Sequence, residues 1–288
     1  MDVARYVIVG AGRAGVGVGL ALAESGLDVV FMTRRPVPWI GQVRACRAGD
    51  ASLPRGAACF VLAVPDHVIP DVADAMIRDG MVTAESVVGH LSGALPSSII
   101  PGEIAGRFSA HPLLSFPLPS PPRRMPAGTP VMVEGDPVGA GVATAALRKA
   151  GAVVAPITEA RKPLCHAAAV AIANLPAVLL FPAADILREC GVPDALIAAS
   201  RLLASAASNV AANPGPTALT GPFARGDIET IAANRAALES KDADLAYLYR
   251  ELGIRLASLL RDNRTLSEAK WRSIIEMLRP AETGQTPK

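Results

Sequence analysis

Apolar and polar positions along the first half of this chain predict strands and helices in alternation. Short apolar runs rich in β-branched side chains predict strands buried on both faces of a parallel sheet. Helical periodicity fills several of the intervals, which is typical of an α/β domain with a doubly wound parallel sheet. The predicted strands are Tyr6–Val9, Leu27–Met32, Ala58–Val64, Ser86–Leu91, Phe108–Pro112, Val131–Glu134 and Val153–Ala155, and the helices are Ala14–Ser25, Val68–Arg78 and Val138–Lys149.

The second half has a different pattern. From Glu159 onward strand signals stop, and long apolar helical patterns follow near 163–190, 193–210, 226–239, 242–261 and 265–278. We therefore predict an α/β domain over 1–158, an all-helical domain over 159–280 and a loose polar tail over 281–288. The proline- and serine-rich stretch Leu113–Thr129 is predicted to be a loop near a ligand or partner.

A glycine-rich turn, Gly10-Ala11-Gly12-Arg13-Ala14-Gly15, joins the first strand to the first helix. Gly10 permits a tight turn, Gly12 lets a pyrophosphate approach the backbone, and Gly15 lets the helix pack closely on the sheet. Arg13 and Ala14 lie at the predicted start of the helix, whose N-terminus offers free N–H groups to phosphates. The motif predicts a Rossmann dinucleotide-binding domain; a glycine turn without a ligand is the alternative.

The end of the second strand bears on the choice of dinucleotide. An NAD site usually has Asp or Glu there, whereas this chain has Thr33, Arg34 and Arg35. Guanidinium groups pair with phosphate, so these residues predict NADP(H) through its 2′-phosphate. Two solvated arginines in a loop are the alternative.

Composition excludes several classes of function. The chain has 288 residues, of which 51% are hydrophobic and only 19% are charged, so two packed domains are expected. A net charge of +2 without a basic stripe, and 4% aromatic residues, argue against nucleic acid. The four cysteines lack metal-site or disulfide spacing, so no metal is expected and a reducing cytoplasm is the predicted location.

Two features bear on membranes. The N-terminus runs directly into a strand, without the pattern of a signal peptide. The most membrane-like stretch is Ala167–Ala184, which contains Asn174, Pro176 and Pro182. We predict a buried helix of a globular domain there, and no membrane partner, because its length is marginal for a bilayer.

Ligands of open α/β sheets lie at the carboxyl ends of the strands, which makes the residues there candidates. Ser92 and Gly93 are predicted to contact cofactor or substrate, and His111 to hold or protonate a substrate. A structural role is the alternative for either strand-end histidine. The strand-end candidates are Pro65, Asp66, His90, Ser92, Gly93, His111 and Pro112, with Pro65 beside the nicotinamide ribose and Val64 a further cofactor-binding candidate.

Two segments of the second half carry further candidates. Lys162, His166 and Asn174 lie on one predicted alanine-rich helix, where a substrate or a neighbouring backbone must satisfy the polar pair His166 and Asn174. The turn 217–227 supplies Thr220, Arg225 and Asp227. Arg225 could clamp a substrate carboxylate, whereas Asp227 is better explained as a helix cap, with substrate binding as the alternative.

Six motifs together resemble a family of bacterial Rossmann-like oxidoreductases with a helical domain of unknown function. They are VGAGRAG at 9–15, LAVPDHVI at 62–69, HLSGALPSS at 90–98, HPLLSFP at 111–117, CHAAAVAIAN at 165–174 and LTGPFARGD at 219–227. The resemblance extends to the ketopantoate reductase, pyrroline-5-carboxylate reductase and 6-phosphogluconate dehydrogenase superfamily. It implies NADPH, a small 2-keto acid in a route to pantothenate, and a homodimer built through a helical domain like that of 6-phosphogluconate dehydrogenase.

One departure from that superfamily affects the mechanism. Its catalytic lysine usually lies four residues before an asparagine, and Val170 occupies that place here. His166 is therefore the first candidate proton donor, with His111 and Lys162 next and Asn174 and Ser92 orienting the substrate. The alternative functions are a cyclic-imine reductase and a non-catalytic NADP(H) sensor. The alternative cofactor is a deazaflavin.

Overall fold

The structure, a computed structural model, describes residues 3–34, 43–46, 58–116 and 123–279. Arg35, part of the predicted loop (117–122) and the tail 281–288 lie outside the described residues. The chain divides into two compact units, Met1–Ala173 and Asn174–Lys288.

An eight-stranded sheet forms the first unit, in the order β3-β2-β1-β4-β5-β6-β7-β8. All neighbouring strands are parallel except β6 and β7, so β7 and β8 run against the first six. The predicted α/β fold with a Rossmann order of the first six strands is confirmed. The strands are β1 Tyr6–Val9, β2 Val29–Met32, β3 Arg44–Cys46, β4 Cys59–Leu62, β5 Val87–His90, β6 Gly106–Pro112, β7 Pro130–Gly135 and β8 Val153–Pro156.

Helices cover both faces of this sheet. The helices α1 (Arg13–Glu24) and α3 (Pro137–Lys149) bury one apolar face against it, around Phe31 and Phe108. On the other face lies α2 (Ile69–Arg78), which packs around Phe60. Because β1, β2, β4 and β5 are buried along their whole length, they appear in the sequence as continuous apolar runs. The edge strand β3 is too short to give such a signal.

The first unit also contains α4 (Lys162–Ala173), which sequence analysis assigned to the helical domain. The division into units thus falls after Ala173, whereas the sequence-based prediction ends the α/β domain at 158. The physical reason is Lys162, whose side chain is only 1% exposed and hydrogen-bonds to residues of the sheet domain. These bonds hold the start of α4 against the strands.

The second unit is all helical. Its helices are α5 Ala177–Glu189, α6 Ala195–Ala212, α7 Pro222–Arg225, α8 Ile228–Glu239, α9 Ala243–Asp262 and α10 Glu268–Leu278. The core, around Ile231, Leu260 and Ile274, is built from α7 to α10. The single helix predicted over 163–190 is wrong, because α4 and α5 are separated at Asn174–Pro176. Pro176 lacks an amide hydrogen and disfavours the helical conformation of the residue before it.

The helices α4, α5 and α6 expose many apolar side chains in the single chain. Ile172 is 79% exposed, Leu202 70% and Phe181 55%. The prediction that Ala167–Ala184 is a buried helix is thus wrong for the single chain, because most residues of this stretch are exposed or half-buried. By length and composition alone, two helical stretches of the described chain, Glu159–Glu189 and Ala195–Ala212, could cross a membrane.

Candidate functional site

The glycine turn between β1 and α1 has the geometry of a phosphate cradle. Gly10 has φ +100°, and a Cβ there would lie 2.6 Å from the carbonyl oxygen of Ala63. A Cβ on Gly15 would lie 2.5 Å from the Ala63 methyl group, so this glycine permits close packing of α1. At Gly12 the nearest described atom to an added Cβ is 3.7 Å away, which leaves that side of the turn open.

The N-terminus of α1 is also free to bind an anion. Gly12 is its N-cap and supplies no side-chain hydrogen bond, and the first turn has no acidic residue. Among the described residues, no partner is recorded for the amide groups of Arg13 and Ala14. Free amides at the positive end of the helix dipole fit a pyrophosphate. The residues present therefore fit a dinucleotide at this turn.

Two arginines lie near the expected cofactor path. Arg13 is exposed and its guanidinium lies 3.5 Å from the carbonyl oxygen of Phe116. Arg34 is exposed directly after β2, next to the buried Thr33, whose amide donates to Cys46. Arg34 is thus available to a ligand at the carboxyl end of β2, whereas Arg35 lies outside the described residues.

The turns after β4 and β5 are joined by a hydrogen bond. The hydroxyl of Ser92 donates to Asp66 over 2.7 Å and accepts from the amides of Ala94 and Leu95. These bonds use the hydroxyl group to shape the loop, so its contact with cofactor or substrate stays a prediction. Val64 and Pro65 precede Asp66 at the end of β4, the position from which sequence analysis placed them beside the cofactor.

The buried side chain of Lys162 links the turn after β5 to strand β6. Its ammonium donates to the carbonyl oxygen of Ser92 over 2.8 Å and to the hydroxyl of Ser109 over 2.5 Å. Burial lowers the pKa of Lys162, while the carboxylates of Glu134 and Asp66 oppose that change. The hydrogen bonds of Lys162 therefore stabilise the site. Its direct contact with substrate stays a prediction.

Two histidines meet at Gly93. The rings of His111 and His166 are nearly perpendicular, at 83°, with their centroids 5.3 Å apart. A Cβ on Gly93 would lie 2.2 Å from Nδ1 of His166 and 2.9 Å from Cε1 of His111. Gly93 therefore serves the site by leaving room for both rings.

His90 has a different role from these two. Its Nε2 lies 3.0 Å from the carbonyl oxygen of Pro96, and its Nδ1 accepts from the amide of Ser92 over 3.3 Å. Both ring nitrogens are satisfied and the side chain is fully buried. His90 is thus the structural histidine that the sequence left open as an alternative.

The second unit carries the remaining candidates. Asp227 caps α8 by accepting from the amide of Thr230, as preferred from sequence. Its carboxylate lies 3.7 Å from the guanidinium of Arg225, which is largely exposed. Thr220 and Asn174 are exposed as well. The substrate contacts predicted for these four residues stay predictions.

Sequence reasoning named Asp66 as a candidate without assigning its role, and it did not single out Ser109 or Glu134. Asp66 follows Pro65 at a strand end, which was the available signal. Ser109 and Glu134 lie inside strands and are buried, so the sequence carries no sign of their polar contacts. Glu134 accepts from the amide and the hydroxyl of Ser97. No group of three or more metal-ligating side chains occurs in the described parts of the chain.

Comparison with known proteins agrees with this fold. Residues 129–256 match the family model described as "Domain of unknown function (DUF2520)". The chain is similar to TM1727 from Thermotoga maritima, with TM-score 0.70 and 22% identity over 90% of this chain and 99% of that one. A proposed NADP oxidoreductase, BF3122 from Bacteroides fragilis, has TM-score 0.68 and 22% identity over 89% and 98% of the two chains.

A more distant likeness extends to an enzyme with bound cofactor. Pyrroline carboxylate reductase from Plasmodium falciparum, with NADP bound, has TM-score 0.57 and 9% identity over 96% of this chain and 100% of that one. No curated protein matches the sequence. At these identities the solved structures show the fold: a Rossmann-like sheet followed by a helical region, as in known reductases.

Proposed function

We propose that this protein is an NADP(H)-dependent reductase of a small carbonyl compound, in the manner of a ketopantoate reductase. The observation that carries the proposal is the arrangement of one sheet edge. The open turn at Gly12 and the histidines at Gly93 lie at the carboxyl ends of parallel strands β1, β4, β5 and β6. That edge is where open α/β sheets bind their ligands.

The division of labour follows from the chemistry. A bound nicotinamide supplies hydride, and the chain supplies orientation and a proton. Lys162, His111 and His166 are the ionisable side chains beside Gly93 from which the proton could come. Gly10, Gly12 and Gly15, with the amides of Arg13 and Ala14, would hold the pyrophosphate.

We expect the phosphorylated cofactor to bind more tightly than NADH, because Arg34 is exposed at the end of β2. Arg34→Ala should weaken NADPH binding about tenfold to a hundredfold, since a hydrogen bond to a charged group contributes ~1.5–3 kcal/mol. NADH affinity should change little. Calorimetry with both coenzymes measures this difference. Equal affinity of the wild type for both would overturn the assignment of NADP(H).

The substrate class is tested with a panel of compounds and NADPH. The panel contains ketopantoate, pyruvate and 2-ketoisovalerate as 2-keto acids, and 1-pyrroline-5-carboxylate as a cyclic imine. Oxidation of NADPH at 340 nm, in a ratio of one per product formed, supports the reductase, and the responsive compound gives its class. If the protein binds NADPH but none of these compounds leads to oxidation of NADPH, the protein is better explained as a sensor of NADP(H).

We also propose that a second copy of the chain covers the exposed face of α5 and α6, giving a homodimer in the cytoplasm. Phe181 on α5 and Leu202 on α6 are more than half exposed. Exposed apolar surface of this extent marks an interface. By length and composition alone, these helices could also insert into a lipid bilayer. The test therefore distinguishes a dimer interface from insertion into a membrane.

The dimer is expected in detergent-free buffer, at twice the chain mass of 29.7 kDa. Leu202→Glu should give a monomer or reduce association at least tenfold, because it places a charge in an apolar interface. The matched control is Val138→Glu, an exposed apolar position at the start of α3 in the first unit. Light scattering after size exclusion measures the mass. A monomeric wild type, or a protein extracted only with detergent, would contradict the dimer.

A further inference from the structure

The proposed reductase requires a proton donor, and hydrogen bonds distinguish the two candidate histidines. Nδ1 of His111 lies 3.1 Å from the carbonyl oxygen of Leu91. A carbonyl oxygen can only accept, so Nδ1 of His111 carries a hydrogen. In the neutral ring, Nε2 is then a bare acceptor. The described residues provide no hydrogen-bond partner for this Nε2 atom.

His166 has the opposite arrangement. Its Nδ1 is buried against Gly93 and has no hydrogen-bond partner among the described residues. An unpaired N–H or an unpaired lone pair at this atom costs about 1–3 kcal/mol alike. The Cα hydrogen of Gly93 that occupies the Cβ direction points at Nδ1, however, so a hydrogen on Nδ1 would also crowd against it, whereas a lone pair would not. The neutral ring therefore carries its hydrogen on Nε2. That group also has no partner within the described chain, so it is available to donate to a ligand.

From this contrast we infer that His111 exchanges the proton with the substrate, while His166 donates a hydrogen bond from Nε2 to the same group. The inference rests on the proposed reductase function and reverses the order of candidates drawn from the sequence. A proton added to His111 goes to Nε2, and the Nδ1 hydrogen of the resulting cation already has an acceptor in Leu91. His166 offers no such acceptor for a second hydrogen.

The step balances as follows. A bound nicotinamide would supply hydride for the new C–H bond, and the π electron pair of the carbonyl would then reside on its oxygen. That oxygen takes the Nε2 proton of His111, which leaves a neutral imidazole with its hydrogen on Nδ1. Solvent then returns a proton to Nε2. His166 donates a hydrogen bond to the oxygen throughout and keeps its hydrogen.

The surroundings of His111 give the pH dependence its direction. Burial lowers the pKa of His111, and the Leu91 carbonyl opposes this effect. Among the charged groups, Lys162 on α4 lowers the pKa further, as would a charged His166 on the same helix, whereas Asp66 raises it. A general acid acts in its protonated form, so kcat/KM for reduction should fall as pH rises through this lowered value.

The hydrogen positions can be observed directly in the wild-type protein. Long-range ¹H–¹⁵N correlation spectra at pH 8 distinguish the two neutral tautomers of each of the four histidines. We expect an Nδ1–H tautomer for His111 and Nε2–H tautomers for His90 and His166, with exposed His67 averaging between forms. An Nε2–H tautomer for His111, or Nδ1–H for His166, would overturn the inference without any activity assay.

Kinetics provide the second arm, using the compound of the panel that is reduced. His111→Gln should lower kcat/KM about a hundredfold to ten-thousandfold and remove the fall at high pH. His166→Gln keeps an N–H donor and should retain that fall, and His67→Gln is the matched control. Loss of the pH dependence in His166→Gln alone would refute the roles. If no compound is reduced, the proposed function fails, while the tautomers still test the hydrogen positions from which the two roles are inferred.

Discussion

Replacing Gly12 by alanine is expected to weaken NADP(H) binding about tenfold to a hundredfold without destabilising the protein. The added methyl group would project into the open side of the turn, where a bound pyrophosphate must approach, at a cost of ~1–3 kcal/mol. The fold should tolerate it, because Gly12 has φ −69° and the nearest described atom to the new Cβ is 3.7 Å away. Calorimetry and thermal unfolding measure the two effects.

The neighbouring Gly10 supplies the matched control for Gly12→Ala. Gly10 has φ +100°, and its added Cβ would lie 2.6 Å from the carbonyl oxygen of Ala63. Gly10→Ala should therefore lower the free energy of unfolding by about 2–4 kcal/mol. If Gly12→Ala binds NADPH as tightly as the wild type, the turn holds no phosphate and the glycines are structural.

Replacing Lys162 by methionine is expected to lower the free energy of unfolding by about 2–5 kcal/mol. Methionine fills the space of the aliphatic chain but removes the ammonium donor from the Ser109 hydroxyl and from the carbonyl oxygen of Ser92, which then accepts only from that hydroxyl. Denaturant unfolding measures the change. Lys149→Met, at an exposed position of α3, is the control and should have little effect. A variant as stable as the wild type would show that the ammonium contributes no net stability.

The stability difference between wild type and Lys162→Met should also depend on pH. Burial lowers the pKa of Lys162 in the folded protein, so the unfolded chain binds more protons between that lowered value and about 10.4, the pKa of an exposed lysine. Stability then rises with pH for the wild type relative to the variant in that window. Unfolding at pH 7 and pH 10 measures the difference, and a decrease would show that Lys162 is not desolvated.

The sequence predicted the cofactor turn because its chemistry is local. Gly10, Gly12 and Gly15 act through backbone geometry within one turn, so their spacing between a strand and a helix carries the information. The position of Arg34 was predicted for the same reason, since it depends only on where β2 ends. Its contact with a 2′-phosphate stays a prediction. The helices α8 to α10 were also predicted close to their bounds, because each begins at a residue whose side chain caps it, Asp227, Asp242 or Ser267.

The roles of the polar residues were less accessible from sequence. All three histidines of the site region carry the same imidazole group. Packing alone decides that His90 bonds to Pro96, that His111 bonds to Leu91, and that Nδ1 of His166 has no partner among the described residues. The assignment of α4 to the first unit likewise depends on Lys162, whose partners Ser92 and Ser109 lie far away in the chain.

The sequence by itself determined the Rossmann sheet, the glycine turn and the helical second half, because hydrophobic period and backbone freedom are properties of neighbouring residues. Tertiary structure alone decided that β7 and β8 reverse direction, that Lys162 is a buried link between the turn after β5 and strand β6, and which ring nitrogens of His111 and His166 lack a described partner. These features depend on contacts between residues distant in sequence. No local period or spacing encodes such contacts.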